Sequence, residues 1–321
     1  MNTGWEQALE VQAQLLKQTT GPFWREMGSL WLANRSEKYG RHSMLPSAHT
    51  FAHAEGIVTD GEPIYVTGEM LDLTAMAMET FDSTEEVHES DFFLRNGMAL
   101  LEKPFVAIDA EGLETAWSAV TWRYVMLPEE AGAGEEVPSL EIILWWDTTV
   151  DDGWDEAHPE YITAARAIYR SWGMRYAVMH ATLVPLEYMS DLKHMAQEGD
   201  PTASWLTFIR VFNKLLGERI VLKTRMRPHR AVRRSAARLG LTEVRDVMVC
   251  ELRRARERGY EWGDGDGESH LTHRFMVHGH WRNQACGPKL SLRKQRWISP
   301  YIKGPDDKPF IDKKRVWVWD R

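Results

Sequence analysis

The sequence predicts an α+β protein in which mixed helices accompany an antiparallel sheet. Three observations support this class. Apolar residues recur at helical spacing in some segments, aromatic and β-branched runs typical of strands fill others, and no repeat of 20–50 residues is present. The 321 residues and the hydrophobic content of 43% are sufficient for a sizeable core, as one large domain or two modest ones.

Helices are predicted wherever apolar residues form a stripe along one face of a 3.6-residue period. Two open the chain, a short one follows, and the most apolar one begins after Pro201 and ends before Gly217. The predicted ranges are 5–18, 22–34, 70–78, 158–172 and 201–216.

Strands are predicted from runs that are rich in aromatic and β-branched residues. Residues 35–63 are predicted to be a loop because Ser, His and Gly are frequent there, and residues 223–230 are predicted to be a cationic linker. Neither a helix nor a strand is assigned to the apolar stretch 176–188. The predicted strands are 92–94, 98–101, 104–108, 116–126, 140–147, 243–252, 273–282 and 315–319.

Charge divides the chain into two contrasting parts. Residues 1–207 carry a net charge of −22 and residues 208–321 one of +14, which together give −8. We therefore predict an acidic α+β part over 1–222 and a basic C-terminal, β-rich module over 223–321. A basic region of this kind is typical of proteins that bind a polyanion, although the two parts could equally complement each other's charge.

Composition and known motifs exclude several classes of protein. No apolar run approaches the roughly 20 residues of a membrane span, and the first residues lack the basic and apolar regions of a signal peptide. Two cysteines, Cys250 and Cys286, make no disulfide framework. We therefore expect a soluble cytoplasmic protein. Because the chain has no P-loop, dinucleotide fingerprint, nucleophile elbow or HExxH motif, no cofactor or metal is predicted.

A basic helix is predicted from about Pro228 to Leu239, with Gly240 as its C-cap. Apolar residues on one face can dock on the core, while the opposite face presents guanidinium groups, whose planar fork suits phosphate. These arginines lie at i, i+4 and i+8, and they are Arg230, Arg234 and Arg238.

The predicted strand 273–282 has two different faces because side chains alternate along a strand. One face carries Phe275, Val277 and Trp281, which indicates that Trp281 packs inward. Gly279 would let a ligand or another backbone approach closely. The polar face carries Arg274, His278, His280 and Arg282.

Three interpretations of this polar row stay open. In the first, the arginines bind phosphate while a histidine of the row, Trp297 or Tyr301 stacks on bases. In the second, His278 and His280 act as acid and base in a metal-independent ribonuclease, with Arg282 stabilising the phosphorane. The third is a zinc site, although its spacing matches no standard pattern. Its ligands would come from His270, His273, His278, His280 and Cys286.

The C-terminal segment resembles a known family. The pattern consists of His273-Arg274, Gly279-His280-Trp281-Arg282, Gly287, Arg296-Trp297 and Pro300. It is similar to the end of a type V-A anti-CRISPR protein family found in phages and other mobile elements. Residues 93–106 and 112–125 resemble a strand, a turn and a Trp-containing strand of the same family. The resemblance implies a protein that suppresses a type V CRISPR nuclease by interfering with its production.

We therefore predict a regulatory protein of phage or mobile-element origin that binds RNA or a ribonucleoprotein, including a CRISPR nuclease or its translation machinery. The predicted contacts are Arg230, Arg234, Arg238, Arg274, His278, His280, Arg282 and Trp297. The ribonuclease is one alternative. The other is a protein-binding inhibitor whose acidic half mimics nucleic acid. The sequence indicates no oligomeric state.

Overall fold

A computed structural model describes residues 4–21, 24, 49–50, 52–81, 87–108, 114–128, 136–149, 166–167, 169, 171, 173–190, 192–197, 202–252, 274–277, 279–298, 300–305 and 308–309. The chain forms two compact units. The larger unit contains Met1–Ala75 and Ser83–Leu252, and the smaller one contains Met76–Asp82 and Arg253–Arg321. The predicted boundary at residue 222 falls inside a strand of the larger unit.

A seven-stranded mixed sheet forms the centre of the larger unit. Its strands are β1 Glu62–Val66, β2 Asn96–Ile108, β3 Glu114–Pro128, β4 Glu136–Asp147, β5 Tyr176–Pro185, β6 Val221–Met226 and β7 Val247–Leu252. They lie in the order β5-β4-β3-β2-β1-β7-β6. β1 is parallel to β2 and β7, and the other neighbours are antiparallel.

Helices cover both faces of this sheet. They are α1 Gln7–Thr19, α2 Ala54–Asp60, α3 Gly68–Glu79, α4 Leu192–Gln197, α5 Thr202–Leu216 and α6 Arg230–Arg238. On one face, apolar residues of α1, α2 and α6 share a buried cluster with residues such as Ala119 of β3. On the other face, Phe212 of α5 contacts Trp122, which lies three residues after Ala119 and therefore points the opposite way. None of the described helices combines the length and apolar character of a membrane span.

The smaller unit contains two short antiparallel strand pairs. β8, Phe275–Val277, pairs with β11, Tyr301–Lys303. β9, His280–Cys286, pairs with β10, Leu292–Ile298. A short 3-10 turn over Pro288–Leu290 connects β9 to β10, so the two strands form a hairpin.

The α+β class is confirmed, as are the predicted helices that correspond to α1, α3 and α5 and the strands that correspond to β3, β4 and β7. The predicted strand pieces between 98 and 108 are a single strand, β2, with a register shift between Leu100 and Phe105. The predictions over 22–34 (apart from Trp24) and 315–319, and most of that over 158–172, lie outside the described residues.

Four predictions are wrong. No strand is formed over 92–94, because these residues connect the 3-10 turn Glu89–Asp91 to β2, which begins at Asn96. The predicted loop over 35–63 contains α2 and the start of β1. The predicted linker over 223–230 begins inside the edge strand β6. The predicted continuous strand over 273–282 is two strands, because β8 ends at Val277, β9 begins at His280, and each pairs with a different partner.

Candidate nucleic-acid interface

The outward face of the β9–β10 hairpin is strongly basic. Arg282 lies directly opposite Arg296, and Gln284 lies opposite Lys294, so three cationic side chains share one face. All three are exposed, and none makes an ion pair with an acidic residue in the part of the chain that the structure describes. Two like charges directly across an antiparallel pair are destabilising. An anion bound between them would remove that repulsion.

His280 belongs to the same face, at the end of the hairpin. It lies opposite Ile298 and is half-buried. The sequence correctly placed His280 and Arg282 on one side of a strand, since both belong to β9. Arg274 immediately precedes β8 and is therefore not part of β9, the strand that carries His280 and Arg282. Its backbone N–H donates to the carbonyl of Pro309 at 2.8 Å. His278 lies outside the described residues, and with it the geometry of the predicted ribonuclease pair.

The inner face of the hairpin is an aromatic cluster. The rings of Trp281 and Trp297 meet edge to face with centroids 5.5 Å apart, and Phe81 contacts Trp281 at 5.7 Å. The indole Nε1 of Trp281 donates a hydrogen bond of 3.0 Å to the carbonyl of Ala77. The inward orientation predicted for Trp281 is therefore confirmed, and the hydrogen bond fixes its position.

Gly279 lies directly under the ring of Trp297. A Cβ atom on Gly279 would be 2.4 Å from Cζ2 of Trp297 and 3.1 Å from Cδ of Pro300. Gly279, Trp281, Trp297 and Pro300, four residues of the C-terminal sequence pattern, thus form a packing cluster. Because Trp297 is only 6% exposed, its ring has no free face on which a base could stack. Burial therefore removes Trp297 from the predicted contact residues.

The larger unit carries a separate basic surface on α6. Val232 and Ala236 are buried against the cluster that includes α1, while Arg230, Arg234 and Arg238 are exposed on the other side. At the start of the helix, the buried carboxylate of Glu6 accepts a 2.8 Å hydrogen bond from the backbone N–H of His229. A carboxylate at this end stabilises a helix. The two faces predicted for this helix are confirmed.

One cluster of potential metal-ligating side chains was not predicted from the sequence. His49 and His53 lie with Glu141 of β4, and the three potential ligand atoms lie within 4.8 Å of one another. His49 and His53 have the i, i+4 spacing that places two imidazoles on one face of a helical turn. That spacing was the available signal, but it lay in a segment predicted to be a loop. The carboxylate lies 88 residues further along the chain.

The alternative zinc site is not brought together by the described residues. Only His280 and Cys286 of its five proposed ligands are described, and they occupy opposite ends of β9. The strand rises about 3.3 Å per residue, so two residues six positions apart cannot ligate one ion. His270, His273 and His278 lie outside the described residues.

Comparisons with known proteins show a likeness to a solved structure but none to a protein family or a curated sequence. No protein-family model matches the chain, and no curated protein matches its sequence. Among solved structures, the chain is similar to the crystal structure of AcrVA2, with 12% sequence identity and a TM-score of 0.41 over 92% of this chain and 93% of that one.

Proposed function

We propose that this protein is an RNA-binding regulator, and that the outward face of the β9–β10 hairpin contacts the phosphate backbone. The supporting observation is that Arg282 and Arg296 lie directly opposite each other. Both are exposed, and neither forms an ion pair with an acidic residue among the described residues. Arginine is suited to this contact because its guanidinium can donate two parallel hydrogen bonds to one phosphate. Lys294 adds a third positive charge on the same face.

The exposed arginines of α6 provide a second contact in this proposal. Arg230, Arg234 and Arg238 recur every four residues along a nine-residue helix, so they form one row on its surface. A row of this kind follows a backbone of repeating negative charges without reading base sequence. In this proposal the α6 row and the hairpin face each contact RNA independently.

The proposed biological role follows from the resemblance of the C-terminal segment to type V-A anti-CRISPR proteins. On this proposal, the protein comes from a phage or mobile element and reduces the production of a type V CRISPR nuclease by binding RNA or a ribonucleoprotein. The role needs no catalytic residue in this chain. It is tested by producing the protein in cells that carry such a nuclease and measuring the nuclease protein and its mRNA.

The binding step is tested with a single-stranded RNA oligonucleotide and purified protein over a series of salt concentrations. Each phosphate contact contributes a slope of about −0.7 to the dependence of log K on log salt concentration. The variants Arg282→Glu and Arg234→Glu should each weaken binding and make this slope shallower. Binding that is insensitive to salt would contradict the proposal.

A matched control separates local contacts from overall charge. Arg219 is exposed in the turn between α5 and β6, away from both α6 and the hairpin in sequence. Arg219→Glu changes the net charge by the same amount as the test variants. It should leave the affinity close to that of the unaltered protein. An equal loss of affinity in all three variants would show that only net charge matters, and would exclude both proposed surfaces.

A further inference from the structure

In the larger unit, two side-chain atoms from the helical turn before α2 and one from β4 form a close triangle. The Nδ1 atoms of His49 and His53 lie 3.0 Å and 3.3 Å from Oε1 of Glu141, and 3.3 Å from each other. His49 and His53 belong to one helical turn, in which the backbone N–H of His53 donates to the carbonyl of His49 at 3.1 Å. Glu141 is fully buried, whereas the imidazoles are 36% and 47% exposed.

Hydrogen bonds alone do not account for this triangle. Each Nδ1 atom carries either one proton or one lone pair in the plane of its ring. If both imidazoles donate to Glu141, their two N–H groups oppose each other across 3.3 Å. If one imidazole instead accepts from the other, it can no longer donate to the carboxylate. At most two of the three contacts can therefore be favourable at the same time.

A tetrahedral metal ion satisfies all three atoms together. Zinc bonds of about 2.0–2.1 Å to nitrogen and oxygen separate neighbouring ligand atoms by about 3.3 Å. The observed separations of 3.0, 3.3 and 3.3 Å match one face of such a tetrahedron. We infer that His49, His53 and Glu141 bind a divalent zinc ion through Nδ1, Nδ1 and Oε1.

The surroundings of Glu141 hold its carboxylate in the required orientation. Arg123 donates from Nε and a terminal nitrogen to Oε2 of Glu141, at 2.8 Å and 2.7 Å. Oε2 is thereby occupied, and Oε1 is left for the ion. Metal-binding carboxylates are usually held by such an outer hydrogen bond. Gly56 makes room for this arrangement, because a Cβ atom there would lie 2.8 Å from a guanidinium nitrogen of Arg123.

The donor set suits zinc and argues against calcium and magnesium. Imidazole nitrogen suits zinc, whereas calcium and magnesium require mostly oxygen ligands. Two histidines and one glutamate also leave a fourth coordination position. The fourth ligand is not among the described side chains, so water or a bound molecule would fill it, as at zinc sites with three protein ligands.

The test measures zinc binding by the full-length protein. Equilibrium dialysis against Zn²⁺, in the presence of a competing chelator, should show one ion per chain. His49→Ala and His53→Ala should each lower the affinity by at least about 10–100-fold, which is the loss seen when even an outer partner of a ligand is removed. Replacing Zn²⁺ with Co²⁺ should give the strong visible absorption of a tetrahedral site in the unaltered protein and not in either variant.

His229→Ala is the matched control. His229 is an exposed histidine of the same unit, and its side chain makes no capping hydrogen bond. This variant should bind zinc like the unaltered protein. The inference would be overturned if the unaltered protein bound no zinc, or if zinc bound equally well after His53→Ala. Since His53 is about half exposed, circular dichroism should show that its variant folds normally, and a folded variant that keeps its zinc would exclude the site.

Discussion

Two antiparallel strand pairs in this protein carry an arginine directly opposite a charged residue, with contrasting results. In the β3–β4 pair, Arg123 lies opposite Glu141, and their side chains form hydrogen bonds of 2.7–2.8 Å. In the β9–β10 pair, Arg282 lies opposite Arg296, and both are exposed. The first pair neutralises its own charge inside the fold, whereas the second pair presents its charge to the solvent.

This contrast distinguishes structural charges from charges that are available for binding. A buried arginine–carboxylate pair is held mainly because separating it would leave an isolated charge away from water. An exposed like-charge pair contributes no stability of its own and is retained at a small energetic cost. The hairpin pair is therefore the better candidate for contact with an external anion, and Arg123 is the better candidate for holding Glu141.

The largest expected effect is that of Arg123→Ala on stability. The guanidinium is 21% exposed and Glu141 is fully buried, so the change leaves a carboxylate in the interior without its main partner. We expect the free energy of unfolding to fall by about 3–5 kcal/mol. Unfolding by urea, followed by circular dichroism, measures this loss.

Two variants test the cause of that loss. Arg282→Ala also removes an arginine from a strand, but it should lower stability little because Arg282 faces another cation. The double variant Arg123→Ala with Glu141→Gln should recover part of the stability, since the buried group is then neutral. This account would be contradicted if the double variant lost as much free energy of unfolding as the two single variants lose in total.

The second effect concerns the aromatic face of the hairpin. Gly279→Ala places a methyl group where Cζ2 of Trp297 lies 2.4 Å away, so the indole or the backbone must move. Overpacking of this kind destabilises a protein by about 1–3 kcal/mol. The loss should be visible as faster hydrogen exchange of the β9 and β10 amides.

The same change in a Trp297→Leu background provides the control. Without the indole, the alanine methyl group meets little obstruction, so Gly279→Ala should then have a much smaller effect. A coupling energy close to zero between the two positions would show that the close approach of Gly279 to Trp297 is not what requires glycine.

Much of the fold could be predicted from local sequence, but the centre of the sheet could not. β3 and β4 are long and rich in aromatic and β-branched residues, which is the local signature of a strand. β1 has five residues and begins with Glu62-Pro63. Its last four residues are all buried, so it lacks the polar–apolar alternation of a half-exposed strand, and its place between two parallel neighbours depends on partners far along the chain.

The functional residues show the same limit. The arginine row of α6 was predictable because the helical period alone places its members together. The inward face of Trp281 was predictable from alternation, but the burial of Trp297 depends on the β9–β10 register and on Gly279. The meeting of His53 with Glu141 depends on the tertiary fold across 88 residues, so no local pattern could indicate it.

The smallest expected change in stability comes from the variant that tests the contrast between the two strand pairs most directly. Arg296→Glu converts the hairpin pair into the arrangement seen in β3–β4, with opposite charges facing each other. A cross-strand ion pair contributes about 0.2–1 kcal/mol, so hydrogen exchange in β9 and β10 should become slower. Binding to single-stranded RNA should become weaker at the same time, because a phosphate contact is replaced by a negative charge.

Arg293→Glu separates this gain from a general effect of charge. Arg293 is also exposed on β10, three residues before Arg296, but it lies opposite Ala285 and cannot form the same ion pair. Both variants change the net charge equally, and only Arg296→Glu should stabilise the hairpin. If both variants stabilised the hairpin equally, the gain in stability would come from its lower overall charge, and the pair Arg282–Arg296 would have no special role. If Arg296→Glu weakened RNA binding without stabilising the hairpin, the face would bind RNA without being destabilised by its own charges.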